Sequence, residues 1–204
     1  LLCSIFILFS SKIKERFLVE IDSNKVENTS DSLTDEVHVV SVYEAWTKDK
    51  FKQNDFFPGA AFRVYQIRIF KEMLEEDVIF FSGYGLNASD FRIKEKGKEH
   101  TVFSGDATHD GYQNKNFHNQ YVQIFAETGV LGLLLILLIV SLNLRNAIKS
   151  KDFVAISFSV LMISLFLTES FLSRQRGVVF FAILFCVFNT KNSVKPIIKP
   201  YKPI

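Results

Sequence analysis

The apolar residues of this chain are gathered into separate runs instead of being spread along amphipathic elements, and that clustering limits what it can fold into. Residues 130–144 are almost wholly apolar. A bilayer-spanning helix needs about 20 mainly apolar residues, a length this run reaches when its helix begins near Tyr121. The run at 153–168 nearly qualifies, and extends to Leu172 if Glu169 lies at an interface. Residues 177–188 give only about 18 Å of helix, so Arg176 and Lys191 would have to snorkel outward. The run at 1–9 lacks a preceding basic region and a good cleavage site, and reads as the end of a span whose beginning precedes residue 1. The expected fold is all-α: a polytopic integral membrane protein fragment, a helical bundle with a long external loop containing helices. The competing expectation is a soluble protein whose apolar runs are buried core helices.

Basic residues in short loops set orientation, because they stay on the cytoplasmic side. Arg145, Lys149 and Lys151 fall between the second and third runs, and Lys195, Lys199 and Lys202 follow the last. The expected organisation is therefore a truncated span at 1–9, an external region at 10–119, membrane helices at 120–188 and a cytoplasmic basic tail at 189–204. Lys12, Lys14 and Arg16 run mildly against this, although long translocated segments follow the charge rule weakly. A formal net charge of +2 gives no reason to expect a nucleic-acid partner. Cys3 and Cys186 sit in different apolar runs and form neither a disulfide framework nor a metal motif.

Within the external region, residues 20–36 are polar and suit a connector with little core. Residues 37–51 carry Val39, Val40, Val42, Tyr43 and Trp46 and suggest a short helix. After the Pro58-Gly59 break, Phe62, Tyr65, Ile69 and Met73 recur at helical spacing, predicting an amphipathic helix over about 60–75. Gly83-Tyr84-Gly85 lacks the third glycine of a dinucleotide fingerprint and reads as a tight turn. Residues 92–111 are expected to form a charged loop.

Two residues stand out chemically. Arg63 lies beside the apolar stripe of the 60–75 helix, where its planar fork can take phosphate oxygens in pairs; the alternative is a surface arginine or an ion pair. Arg68, on another face, serves as its comparison. His118 stands where a water-facing segment meets the apolar run, and counting along a helix from Phe117 puts it on one side with Phe125 and Gly129. There it can act as a general base on a sugar hydroxyl, or simply anchor a helix end. Gly129 and Gly132 allow another backbone to approach closely. Asp106, His109, Asp110 and His118 match no zinc spacing, so neither a metal nor a cofactor is expected.

Taken in order, Arg63-Val-Tyr-Gln-Ile, Gly83-Tyr-Gly85, His118-Asn119-Gln-Tyr121-Val-Gln123, Glu127-Thr-Gly129-Val-Leu-Gly132 and Thr168-Glu169-Ser170 resemble the C-terminal core of the O-antigen ligase and polymerase family. The resemblance covers about residues 60–188. It implies a multi-pass glycosyltransferase of the bacterial inner (cytoplasmic) membrane, its long loop periplasmic. Such enzymes move a glycan from an undecaprenyl-pyrophosphate-linked donor to lipid A-core or another glycan acceptor. By the same resemblance, His118 is the catalytic histidine and Arg63 the loop arginine that holds the carrier pyrophosphate. Polysaccharide polymerase and protein O-oligosaccharyltransferase activities belong to the same chemistry. A non-enzymatic membrane subunit or sensor with a ligand-binding external loop is the alternative of another class.

Two departures from the family pattern stand. Ile67 replaces a leucine, and the family's further upstream external arginine would precede residue 1, so this stretch alone is expected to be inactive. Arg16 has nothing around it to assign it that role, while Arg174 and Arg176 face the same side as His118 and can add positive charge or mark the end of a span.

Overall fold

The computed structural model describes residues 37–191. The expected span end at 1–9, Arg16, the polar connector at 20–36 and the tail from residue 192 lie outside the described residues. The described chain is mostly helical with little sheet.

A short strand β1 (His38–Val39) leads into helix α1 (Val42–Thr47) and is paired in parallel with β2 (Asp55–Phe56). Helix α1 is much shorter than the 37–51 pattern suggests, because Ser41 starts it with a capping box. The Ser41 hydroxyl accepts from the Glu44 amide at 3.2 Å, and the Glu44 carboxylate accepts from the Ser41 amide at 2.9 Å. Helix α2 (Gly59–Glu76) follows the predicted amphipathic stretch closely. Its expected stripe of Phe62, Tyr65, Ile69 and Met73 is buried, packed with Phe51, Phe57, Ile93 and Phe117 into a first apolar core.

The charged stretch expected to be a loop contains a helix, α3 (Ser89–Glu99). Only Ile93 of its apolar residues is fully buried, so hydrophobic period is a poor guide to it. Charge holds it instead. Arg92 pairs with Glu76, Asp77 and Glu95 at 2.8–2.9 Å, and Lys96 with Glu76 and Glu99 at 2.5 and 2.8 Å. Asp90 in its first turn and Lys96 and Lys98 in its last complement the helix dipole.

The second core belongs to α4 (Gln120–Ser150), α5 (Phe153–Thr168) and α6 (Gln175–Lys191), packed through Ile136, Val140, Phe158, Met162, Phe166 and Phe181. Helix α5 stops at Thr168 instead of running on to Leu172; Glu169 is extended, and a single 3-10 turn (Phe171–Ser173) follows. A polar clamp ties all three helices: Asn143 donates to Ser159 at 2.8 Å, and Asn189 donates to Asn143 at 2.9 Å. Of the described helices, α4 alone is long and apolar enough to cross a membrane; α5 and α6 are apolar but shorter. The bundle leaves Leu131, Leu134, Leu135 and Leu138 of α4 exposed, with Val160 and Leu161 of α5 and Val179 and Ile183 of α6.

Helix α4 is not straight. Gly129 has φ 70° and ψ −169°, outside helical geometry. A ladder of backbone bonds from the 80–85 turn replaces the bonds lost there: Val130 N–H donates to Phe80 C=O at 2.8 Å, while Tyr84 and Gly85 N–H donate to Ala126 and Glu127 C=O at 2.8 and 2.9 Å. Contact at both ends shows how far the helix turns. The Asp152 amide reaches Ala147 C=O at 3.3 Å, and Asn119 Nδ2 reaches Leu167 C=O at 3.2 Å. Between those contacts a straight α4 would run about 42 Å and α5 only about 22 Å, so the two cannot be collinear partners. The segment from Gln120 to Thr128 therefore folds over the end of the bundle, and the straight part from Val130 onward gives about 30 Å of helix.

The backbones of Phe81 and Gly129 meet so closely that a Cβ at residue 129 would overlap the Phe81 carbonyl. Gly129→Ala should therefore lower stability by at least about 2 kcal/mol in denaturant unfolding. A second expectation concerns His100, whose Nε2 lies 3.2 Å from Glu72 and whose Nδ1 lies 3.2 Å from the Tyr65 hydroxyl. Glu72 can only accept, so Nε2 carries the proton and Nδ1 accepts from Tyr65. Burial pushes the imidazole pKa down despite Glu72, so the fold favours the neutral ring. The unfolded chain takes up a proton near the ordinary value of about 6.5, so this stabilisation is complete above that pH and is lost as pH falls below it. His100→Gln should flatten the fall in unfolding free energy as pH drops below about 6.5.

Candidate functional site

The site forms where the start of α4 meets the end of α5. His118 precedes α4 instead of lying on it, so it does not share a helical face with Phe125 and Gly129. The reason is local. Asn119 is the N-cap residue, its Oδ1 accepting from the Tyr121 and Val122 amides at 3.0 and 3.1 Å, and an N-cap has extended, non-helical backbone. His118 takes left-handed backbone, φ 46°, with its amide donating to Asn116 Oδ1 at 3.0 Å. Its imidazole packs edge-on to Phe62, with ring centroids 5.7 Å apart.

Arg63 leaves α2 one residue after Phe62 and spans to the end of α5. Its Nη1 donates to Gly59 C=O at 3.2 Å and its Nε to Thr168 C=O at 3.4 Å. A guanidinium there compensates the carbonyl end of α5. Beyond that end comes Glu169, which the two predicted residues share: Arg63 Nη2 lies 3.9 Å from Oε1, and His118 Nδ1 lies 3.4 Å from Oε2. The three side chains keep 41%, 29% and 44% of their surface exposed for Arg63, His118 and Glu169, so an outside molecule can reach each of them.

Next to this triad is a cavity of about 580 Å³ between α5 and α6. Glu169 and Asn116 form part of its wall, with Ser170, Arg174 and Arg176 as further polar groups. Leu161, Met162, Leu165 and Phe180 supply an apolar side. Arg63 and His118 do not line it; Glu169 connects it to them. Ser170 is only 4% exposed, and its hydroxyl has no hydrogen-bond partner among the described residues.

Glu169 is the candidate-site residue that the sequence does not single out on its own. Its signal was a lone carboxylate between two apolar runs, which marks a helix end as readily as a site. Arg68 also differs from its expected role as a neutral comparison. It is buried, bonded through Nε to Glu72 at 2.8 Å and through Nη1 to Lys48 C=O at 2.6 Å, which fastens α1 to α2. Asp106 and His109 belong to a separate turn, where the Thr108 hydroxyl and the Thr108 and His109 amides donate to Asp106 and hold its carboxyl down to about 2. Among the described residues no three His, Cys, Asp or Glu side chains converge as a metal-ligand set.

These environments separate the two arginines by stability. Arg68→Ala should cost about 2–3 kcal/mol by removing a buried guanidinium and its bonds to Lys48 C=O and Glu72, whereas Arg63→Ala should stay within about 0.5 kcal/mol of the parent. Denaturant titration of both variants checks this, and equal losses would contradict the assignment of Arg68 to structure and Arg63 to a site.

No protein-family model matches the chain, and no curated protein or solved structure matches it either, so the site is interpreted on its own geometry.

Proposed function

We propose that the chain is the core of a membrane-embedded glycosyltransferase of O-antigen ligase type, moving a glycan from an undecaprenyl-pyrophosphate carrier to lipid A-core on the periplasmic side. The observation that carries this proposal is the convergence of Arg63 and His118 on one carboxylate, Glu169, at the end of an apolar three-helix bundle. In this proposal α4, α5 and α6 lie in the bilayer. The straight part of α4 matches the hydrocarbon thickness of about 30 Å, and the shorter α5 and α6 are accommodated by flanking residues and local thinning.

The chemistry follows from the partners. Glu169 accepts but cannot donate, so it favours the His118 tautomer with the proton on Nδ1, leaving Nε2 as the base. Nε2 takes the proton of the acceptor hydroxyl as that oxygen bonds to the anomeric carbon of the donor glycan. The bond from the anomeric carbon to the pyrophosphate oxygen breaks, and the leaving pyrophosphate carries the negative charge away. The Arg63 guanidinium stabilises that charge as it forms. Beside it, the cavity sets Arg174 and Arg176 against an apolar wall, a combination suited to a phosphate with a hydrocarbon tail.

The protein expressed from its complete gene, in cells lacking their own ligase, should restore a lipopolysaccharide ladder on a gel. His118→Ala and Arg63→Ala should each reduce transfer by about 10²–10⁴-fold at equal membrane abundance. Lys71→Ala, an exposed change on the same helix, should leave the ladder intact. A ladder that persists in His118→Ala would refute the mechanism.

A further inference from the structure

The turn that bonds to the break in α4 carries a set of apolar side chains with no described residue over them. Val78 is 99% exposed, Leu86 80% and Phe81 71%, and Phe80 is about half exposed; on the neighbouring helix α3, Phe91 is 70% exposed. They cannot withdraw into the first core, because the turn is fixed by its three backbone bonds to α4 and by tight backbone packing at Gly83 and Gly129. A rigid cluster of large exposed apolar groups needs an external cover.

Its position indicates which cover. Phe80 C=O accepts from Val130 N–H, the first residue of the straight apolar part of α4, so the turn stands level with the upper end of that segment. The exposed Leu131, Leu134, Leu135 and Leu138 continue the apolar surface downward from there. Exposed Lys94 and Lys98 follow Phe91 at helical spacing, the pairing of apolar and basic groups found on surfaces seated among anionic headgroups.

We infer that the 78–86 turn, with Phe91, is an interfacial anchor seated in the headgroup–acyl boundary of the bilayer, fixing the depth of the first core and hence of the Arg63–His118–Glu169 site. The inference rests on the proposed membrane location of α4 to α6. Through the α4 break, the anchor keeps the site at the level where a lipid-borne group would emerge.

The test uses tryptophan fluorescence of the full chain in phosphatidylcholine–phosphatidylglycerol vesicles containing lipids brominated either near the headgroup or near the chain end. Trp46, the chain's one tryptophan, is first replaced by phenylalanine. In that background Phe81→Trp reports the turn and Leu138→Trp the bundle. An indole about 5–10 Å into the boundary should lose about half its intensity to the shallow bromine and much less to the deep one. Leu138→Trp should show the opposite preference. Quenching of Leu138→Trp without quenching of Phe81→Trp would overturn the anchor while sparing the membrane location, since the turn would then be covered by residues 1–9, by a second copy, or held above the lipid. Quenching of neither would overturn both.

Discussion

The break at Gly129 is the constraint on which the rest of the arrangement depends. An unbroken α4 would satisfy its own backbone but would carry its first turns away from α5 and leave the two cores unconnected. By giving up helical geometry at one residue, the chain exposes the Ala126 and Glu127 carbonyls and the Val130 amide, and the 80–85 turn satisfies all three. The exchange is nearly even in hydrogen bonds and decisive in geometry. It directs Val122, Phe125 and Ala126 into the first core and Tyr121 and Ile124 toward the second. Glycine is required because the backbone is left-handed there and Phe81 lies against the missing side chain.

Once α4 folds over the bundle, the site follows from helix ends. Asn119 does two jobs with one amide, capping α4 through its oxygen and holding the last turn of α5 through its nitrogen. That fixes His118 just before one helix and Glu169 just after another. Arg63 completes the group from α2, whose other faces are occupied with core packing and with the Arg68–Glu72 pair. Arg63 and His118 are therefore held by packed elements while their polar ends stay open to solvent.

The apolar runs and the α2 stripe were legible in the sequence because hydrophobic period reports burial directly. The tight turn at Gly83-Tyr84-Gly85 and the close backbone approach at Gly129 were legible for the same local reason, since glycine marks where a Cβ will not fit. Helix α3 was not legible by that route, having one deeply buried apolar residue and owing its place to carboxylates on α2. Its charge order, acid first and base last, is the pattern that identifies it. Arg63 and His118 could be singled out by type and setting, but their common partner could not, because adjacency across so much chain belongs to tertiary structure. The helix register assumed for His118 failed for a definable reason: a favourable N-cap residue follows it, and a cap ends the helix before the histidine is reached.

The bond from Arg63 to Thr168 joins positions separated by 105 residues. A contact of that span has to offset the entropy of closing the intervening chain, so it is disfavoured until the local helices and the α4–α5 pair have formed. Before that contact closes, Arg63 and His118 already lie side by side through Phe62 and Phe117 of the first core, and it is Glu169 that arrives last.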